Sequence, residues 1–166
     1  MRKYSIVFGM ATAVLVLDQL TKWYVRQSVA LYESIPVIDA LFHITHVRNR
    51  GGAFSLFAGI SDTIRIPFFL SVAVVAVLVL VYMVRRVDAR HLLVLLALGC
   101  ILGGALGNFT DRAFRAGEVT DFLDFHWHGY YWPAFNVADS AISIGMVILI
   151  FNSVLARDTD KRELRA

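Results

Sequence analysis

Two aspartates have the setting that acid–base chemistry needs. Asp121 lies in Glu118-Val-Thr-Asp-Phe-Leu-Asp-Phe125, and Asp139 lies in Phe135-Asn-Val-Ala-Asp-Ser140. Asp139 opens a stretch with no further charged side chain up to Ala156. A carboxylate at the mouth of a membrane helix is costly to keep and is a functional candidate by default. Two carboxylates that share one proton can activate water and polarise a carbonyl in the same step. Asp139 also has a structural reading as a helix N-cap, although Asn136, directly ahead of the apolar run, is better placed for that role. Asp124 is a rival to Asp121 in the same segment.

Other polar residues read more simply. Asp18 and Lys22 are an acid–base pair at i,i+4 in the favourable order, suited to a buried ion pair or hydrogen-bond network. Asp111 and Arg112 suit an anchor that holds the site. Zinc is conceivable at His43, His46, His126 and His128. However, a strand would turn His43 and His46 to opposite faces, and no His-Glu-x-x-His is present. No metal and no other cofactor is therefore expected. Cys100 sits inside an apolar run, and no serine lies in a Gly-x-Ser-x-Gly elbow, so nucleophilic catalysis has no good candidate.

The elements that must position these residues are membrane helices. The chain has 166 residues, enough for one domain (1–166), and 58% of them are hydrophobic, above the usage of soluble proteins. Four segments reach the length of about 20 residues that a bilayer requires: 4–23, 66–84, 92–110 and 136–156. Short links between them suggest a compact antiparallel bundle with outer loops at 24–65 and 111–135. The charged N-terminus followed by an apolar run imitates a signal peptide, but no cleavage signature follows it; the first segment reads as a retained span. Residues 1–3, 85–91 and 157–166 hold nine Lys or Arg, against six in the two long loops. That bias places both termini in the cytoplasm and the long loops outside. A net charge of +3 without a basic aromatic stripe gives no reason to expect nucleic acid as a partner.

Depth then groups the polar residues. Counting about 20 residues from each cytoplasmic end puts the outer boundary near Trp23, Arg65, Asp111 and Val137. Asp18 falls about 8 Å below it and Asp139 about 3 Å below it at the helical rise. Asn108, Asp111, Arg112 and Asn136 lie within a turn of the same plane. Helical spacing puts Asn136, Asp139, Ser140 and Ser143 on one face, and Asn108 beside Asp111 and Arg112. Gly99, Gly103 and Gly107, four apart, read as a packing stripe for another helix.

In the first outer loop, Leu41–Val47 reads as a strand, followed by a Gly-containing turn at Arg48–Gly52 and a second strand at Ala53–Phe57. The two strands would form a small sheet against the outer leaflet, to which Val119–Phe125 could add another strand. Phe125-His-Trp-His-Gly-Tyr-Tyr-Trp-Pro133 is rich in rings that favour the headgroup zone, so this aromatic loop should rest on the membrane or cap the site.

These motifs resemble bacterial lipoprotein signal peptidase, signal peptidase II. The resemblance runs through Asp18-Gln-Leu-Thr-Lys22, Asn49-Arg-Gly-Gly-Ala-Phe-Ser55, Gly107-Asn-Phe-Thr-Asp-Arg112, Val119-Thr-Asp-Phe122 and Phe135-Asn-Val-Ala-Asp-Ser140. Gly52 departs from the family, which more often has Ala there. The resemblance implies a multi-pass aspartic endopeptidase of the bacterial inner membrane, with its site near the outer face. Its substrate would be a prolipoprotein carrying diacylglycerol on cysteine, cleaved on the N-terminal side of that cysteine. Asp121 and Asp139 match the catalytic pair; Asp18, Lys22, Asn49, Asn108, Asp111, Arg112 and Asn136 match residues that support or line the site. Membrane lipid and the cyclic peptide inhibitor globomycin are the other implied partners, with a monomer as the expected state. The competing reading is a small proton-coupled carrier relaying through Asp18, Lys22, Asp111 and Asp139; the nearly bare inner half of every span argues against it. A non-catalytic lipid- or peptide-binding module is a third.

Overall fold

The computed structural model describes residues 1–51, 57 and 59–163, with side chains through Val154. Four helices are long and apolar enough to cross a membrane: α1 (Arg2–Ser28), α2 (Asp62–Arg86), α3 (Leu92–Phe114) and α4 (Val137–Glu163). Between them lie four strands, β1 (Ser34–Ile38), β2 (Phe42–Asn49), β3 (Val119–Trp127) and β4 (Tyr130–Tyr131), paired antiparallel in the order β1-β2-β3-β4.

α3 is the central helix. Leu95, Ala97, Leu98, Leu102 and Gly103 are buried, and Leu95, Leu98, Ile101 and Leu102 form one core with Val7 and Ala11 of α1 and Leu80 and Val84 of α2. The outward faces are apolar instead: Leu17, Leu20, Val75, Leu78, Ile144, Val147 and Phe151 are all more than half exposed. On a soluble protein such faces would be an aggregation surface. Against acyl chains they are matched to their solvent, and helix association must come from close packing.

Glycines make that packing possible. A Cβ on Gly103 would lie 2.6 Å from the Ala11 carbonyl oxygen and 2.7 Å from Val14 Cβ; one on Gly99 would lie 2.7 Å from Met10 Cβ. α1 is thus seated directly on the α3 backbone, and Gly104 on another face of α3 receives Ala138 and Ile142 of α4.

The helices overrun the expected spans. α1 continues to Ser28 rather than Trp23 because Val25, together with Val29 just beyond it, packs on Phe122 of β3. α3 continues to Phe114 and ends at Ala116 and Gly117, with φ of 51° and 77°, where the Gly117 N–H donates to the Arg112 carbonyl at 3.1 Å. This six-to-one closure turns the chain from helix into β3.

The sheet departs further from expectation. β2 covers the expected strand, but its partners are β1 and β3. The second strand expected at Ala53–Phe57 lies outside the described residues except for Phe57, which is in a turn. β1 was not foreseen: it is short, exposed throughout and contains Pro36, features that fit an edge strand. The aromatic loop is in part a hairpin, with His128 and Gly129 at φ 46° and 83° between β3 and β4, a two-residue turn that matches strand twist.

Gly103→Ala is expected to lower the stability of the detergent-solubilised protein by about 1–3 kcal/mol through overpacking. Gly9→Ala, which meets nothing within 4 Å, should be neutral or stabilising; thermal unfolding of the two variants side by side checks this.

Candidate active site

Lys22, fully buried on α1, stands at the head of a continuous polar network. Its ammonium lies 2.8 Å from Asp18 Oδ2 and 3.0 Å from Asp111 Oδ2, and donates to Asn108 Oδ1 at 3.0 Å. An ammonium has three donors, and here all three are used. Asp18 Oδ1 accepts the backbone N–H of Ala138 at 2.9 Å. A carboxylate from α1 thereby caps the first turn of α4, where the helix dipole favours negative charge. Asp111 Oδ2 also accepts the Thr120 N–H at 3.3 Å, tying the end of α3 to the start of β3. Gln19 donates to Asp18, Asp111 and the Gly107 carbonyl. It lies inside the Asp18–Lys22 motif but was not singled out; only its bridging position across two helices reveals it.

Two neutral amides carry the network to the candidate aspartates. Asn108 Nδ2 donates to Asp139 Oδ1 at 2.7 Å. Asn136 Nδ2 donates to Asp121 Oδ1 at 2.6 Å and to Asn108 Oδ1 at 3.3 Å. Asn136 also opens α4 with a reciprocal cap: the Asp139 N–H donates to Asn136 Oδ1 at 3.0 Å, and the Asn136 N–H to Asp139 Oδ2 at 3.3 Å. This is a capping box with Asp at the third helical position. It leaves Asp139 as both a structural element of the helix start and a side chain on the cavity. Asn49, at the end of β2, donates to Asp121 Oδ2 at 2.9 Å while accepting the Gly51 N–H.

Asp121 and Asp139 line one cavity of about 880 Å3, together with Asn49, Asn108, Arg112, Trp132, Phe135, Ser140, Ser143 and Ile144. Arg112 stacks over Phe69 with its guanidinium carbon 4.6 Å from the ring centre, so the expected anchor also walls the cavity. Burial, reinforced by the negative charge of Asp139, pushes the Asp121 carboxyl up to about 7, against the pull of the Asn49 and Asn136 hydrogen bonds. A carboxyl titrating near neutrality in a cleft is suited to proton transfer. Asp124 reaches the same cavity, but its Oδ2 lies 3.2 Å from His126 Nε2.

The histidines separate. His46 is buried, with Nδ1 2.9 Å from the Val29 carbonyl oxygen. His43 lies beside His126, ring centres 4.5 Å apart, and 3.1 Å from Ser34 Oγ. Among the described residues no group of three or more His, Cys, Asp or Glu side chains is arranged to hold a metal ion.

Comparison with known proteins places this arrangement. The family model described as signal peptidase (SPase) II matches residues 10–155. The chain is 49% identical over 151 residues to the lipoprotein signal peptidase of Geobacter sulfurreducens, covering 91% of this chain and 92% of the relative. It is 46% identical over 150 residues to that of Desulforapulum autotrophicum, covering 90% and 92%. A solved structure described as a bacterial membrane enzyme, obtained by the in meso method at 2.3 Å resolution, superposes with a TM-score of 0.79 at 34% identity, over 93% of this chain and 90% of that one. A matching family model across most of the chain, relatives near half identity and a shared four-helix architecture lead to one conclusion: this membrane protein belongs to the signal peptidase II family of proteases.

Proposed function

We propose that the chain cleaves prolipoproteins by an aspartic mechanism in which Asp121 and Asp139 act as a pair. The observation that carries the reading is their convergence from β3 and α4 onto one cavity, with Asn136 donating to both. Two like charges on one cavity resist joint ionisation, so the active form holds one proton, which belongs to the pair rather than to either residue. The ionised member takes a proton from water as the water attacks the scissile carbonyl. The protonated member donates to the carbonyl oxygen and stabilises the tetrahedral diol. A proton then passes to the departing amine. Asn49, Asn108 and Asn136 hold the carboxylates in place through their amide hydrogen bonds.

The names of the relatives and the position of the cavity support the substrate class. Both relatives compared above by sequence are lipoprotein signal peptidases, and the proposed substrate is a precursor with diacylglycerol on cysteine, cut on the N-terminal side of that residue. Ser140, Ser143 and Ile144 carry the cavity wall along α4 into the span. Acyl chains can thus stay in lipid, where each methylene is worth about 0.8 kcal/mol, while the peptide bond meets the aspartates. The cation bias of the loops supports cytoplasmic termini in a bacterial inner membrane and a site at the outer face. The same cavity is the proposed site for globomycin. The proposed working state is a monomer.

Asp121→Asn and Asp139→Asn should each cut the cleavage of a lipidated precursor by at least about 10²-fold, with helical content retained by circular dichroism; wild-type rates in either variant would refute the pair. Cleavage by the wild type should persist in chelator. The pH profile has a defined sign: with the Asp121 carboxyl raised to about 7, the singly protonated form is lost as pH rises. The kcat/KM should therefore fall by about tenfold per unit above neutrality, and a rate flat from pH 6 to 9 would contradict the assignment.

A further inference from the structure

A second cleft, of about 380 Å3, opens near the same end of the bundle, lined by Arg26, Arg48, Phe114, Arg115, Ala116, Glu118 and Thr120. Three elements bring guanidinium groups to it: the last turn of α1, strand β2 and the end of α3. Their charge is not balanced. Glu118 is shared by Arg48 at 3.5 Å and Arg50 at 2.6 Å, and Asp111 by Arg115 and Lys22, each at 3.0 Å. The cleft lining itself carries the guanidinium groups of Arg26, Arg48 and Arg115 against the single carboxylate of Glu118. Among the described residues the polar side-chain contact of Arg26 is the neutral hydroxyl of Thr120 at 3.1 Å. Residues 52–56 and 58, close in sequence to β2, contain no charged side chain that could supply a further anion.

The position of the cleft selects the anion. Arg26 follows Trp23 by three residues, about 4.5 Å along the helix. Trp23 and Tyr24 are exposed on α1, and Phe114 is 82% exposed at the cleft itself. Exposed rings of this kind mark the headgroup layer, and arginine forks match phosphate oxygens. We propose that this cleft binds the phosphodiester of an anionic phospholipid, with Arg26, Arg48 and Arg115 around the phosphate and the Phe114 ring against the first methylenes of the chains. A zwitterionic headgroup is disfavoured because its ammonium would enter a cleft lined by three guanidinium groups and one carboxylate. Arg48 lines both this cleft and the catalytic cavity, so the lipid would sit beside the strand that presents Asn49 without entering the active site. The inference rests on the membrane spans and the cation geometry, not on the aspartate pair.

The test uses the full-length protein in detergent micelles. Its unfolding midpoint is followed during titration with dihexanoyl phosphatidylglycerol, dihexanoyl phosphatidylcholine or inorganic phosphate at equal concentrations. Phosphatidylglycerol should raise the midpoint saturably, while the other two leave it unchanged. Arg26→Gln should weaken the apparent affinity for phosphatidylglycerol about tenfold, as for loss of one charged hydrogen bond, and Arg26→Lys should restore part of it. Should Arg26→Gln fail to fold, Arg48→Gln replaces it with the same expectation. Equal shifts from phosphatidylglycerol and phosphatidylcholine overturn the proposal, as does a folded Arg26→Gln that responds like the wild type. A shift of the same size from inorganic phosphate overturns the lipid assignment in favour of an ion site.

Discussion

The buried ammonium of Lys22 dictates how the rest of the structure must assemble. A cation taken out of water costs several kcal/mol unless its partners compensate it with good geometry. Compensation here needs Asp18 from the same helix and Asp111 and Asn108 from α3 at once. It exists only when α1 and α3 are in one register and in close contact. Gly107 makes that contact possible, since a Cβ there would lie 2.5 Å from Asp18 Oδ2. The glycine stripe is therefore more than packing: its last member makes room for a charge. The two carboxylates also reach outward, Asp18 through its other oxygen to the start of α4 and Asp111 through the same Oδ2 to the start of β3. One charged cluster thus fixes the relative positions of three helices and a strand.

The polar interior divides into two regions with a neutral divide. On one side Asp18, Lys22, Asp111 and Arg115 form paired charges. On the other, Asp121 and Asp139 face the cavity. Asn108 and Asn136 lie between them: Asn108 accepts from Lys22 and donates to Asp139, and Asn136 donates to both Asn108 and Asp121. An amide can orient a carboxylate without neutralising it, so the cavity aspartates are positioned while keeping the mutual repulsion that raises one of them. Had Lys22 reached Asp121 directly, the two would be held as a salt bridge and the Asp121 carboxyl would be drawn down instead of raised.

The sheet does related work at the membrane boundary. The β2–β3 register shifts between Ile44 and Val47, inserting one residue into β2. Such bulges re-aim side chains near active sites. This one follows His43, which lies beside His126, and takes in His46, which turns inward to the Val29 carbonyl. Beyond the bulge, Val47 pairs with Asp121 and Asn49 with Val119, which puts the Asn49 amide on the Asp121 carboxylate. The same two strands carry Arg48 and Thr120 toward the basic cleft.

Much of this was legible in the residues alone because hydrophobic length and helical spacing are local properties. Four apolar runs specify four spans, and counting inward from the cationic ends aligns Asp18, Asn108, Asp111 and Asp139 at one depth without reference to any fold. The Asn136 cap was readable for the same reason, since a cap involves only its own first turn. Three things were not local. β1 carries a proline and no alternation, and it becomes a strand only because β2 lies beside it. Asp121 and Asp124 stand three residues apart in equivalent surroundings; the strand register gives one to Asn49 and Asn136 and the other to His126. The third partner of Lys22, like the bridging of Gln19, depends on which face of α3 meets α1. Sequence by itself determined the four helical spans and the chemical kinds of residue available. Tertiary structure decided which of them touch, because a side-chain pairing across distant segments is set by register and close approach, to which short-range pattern is blind.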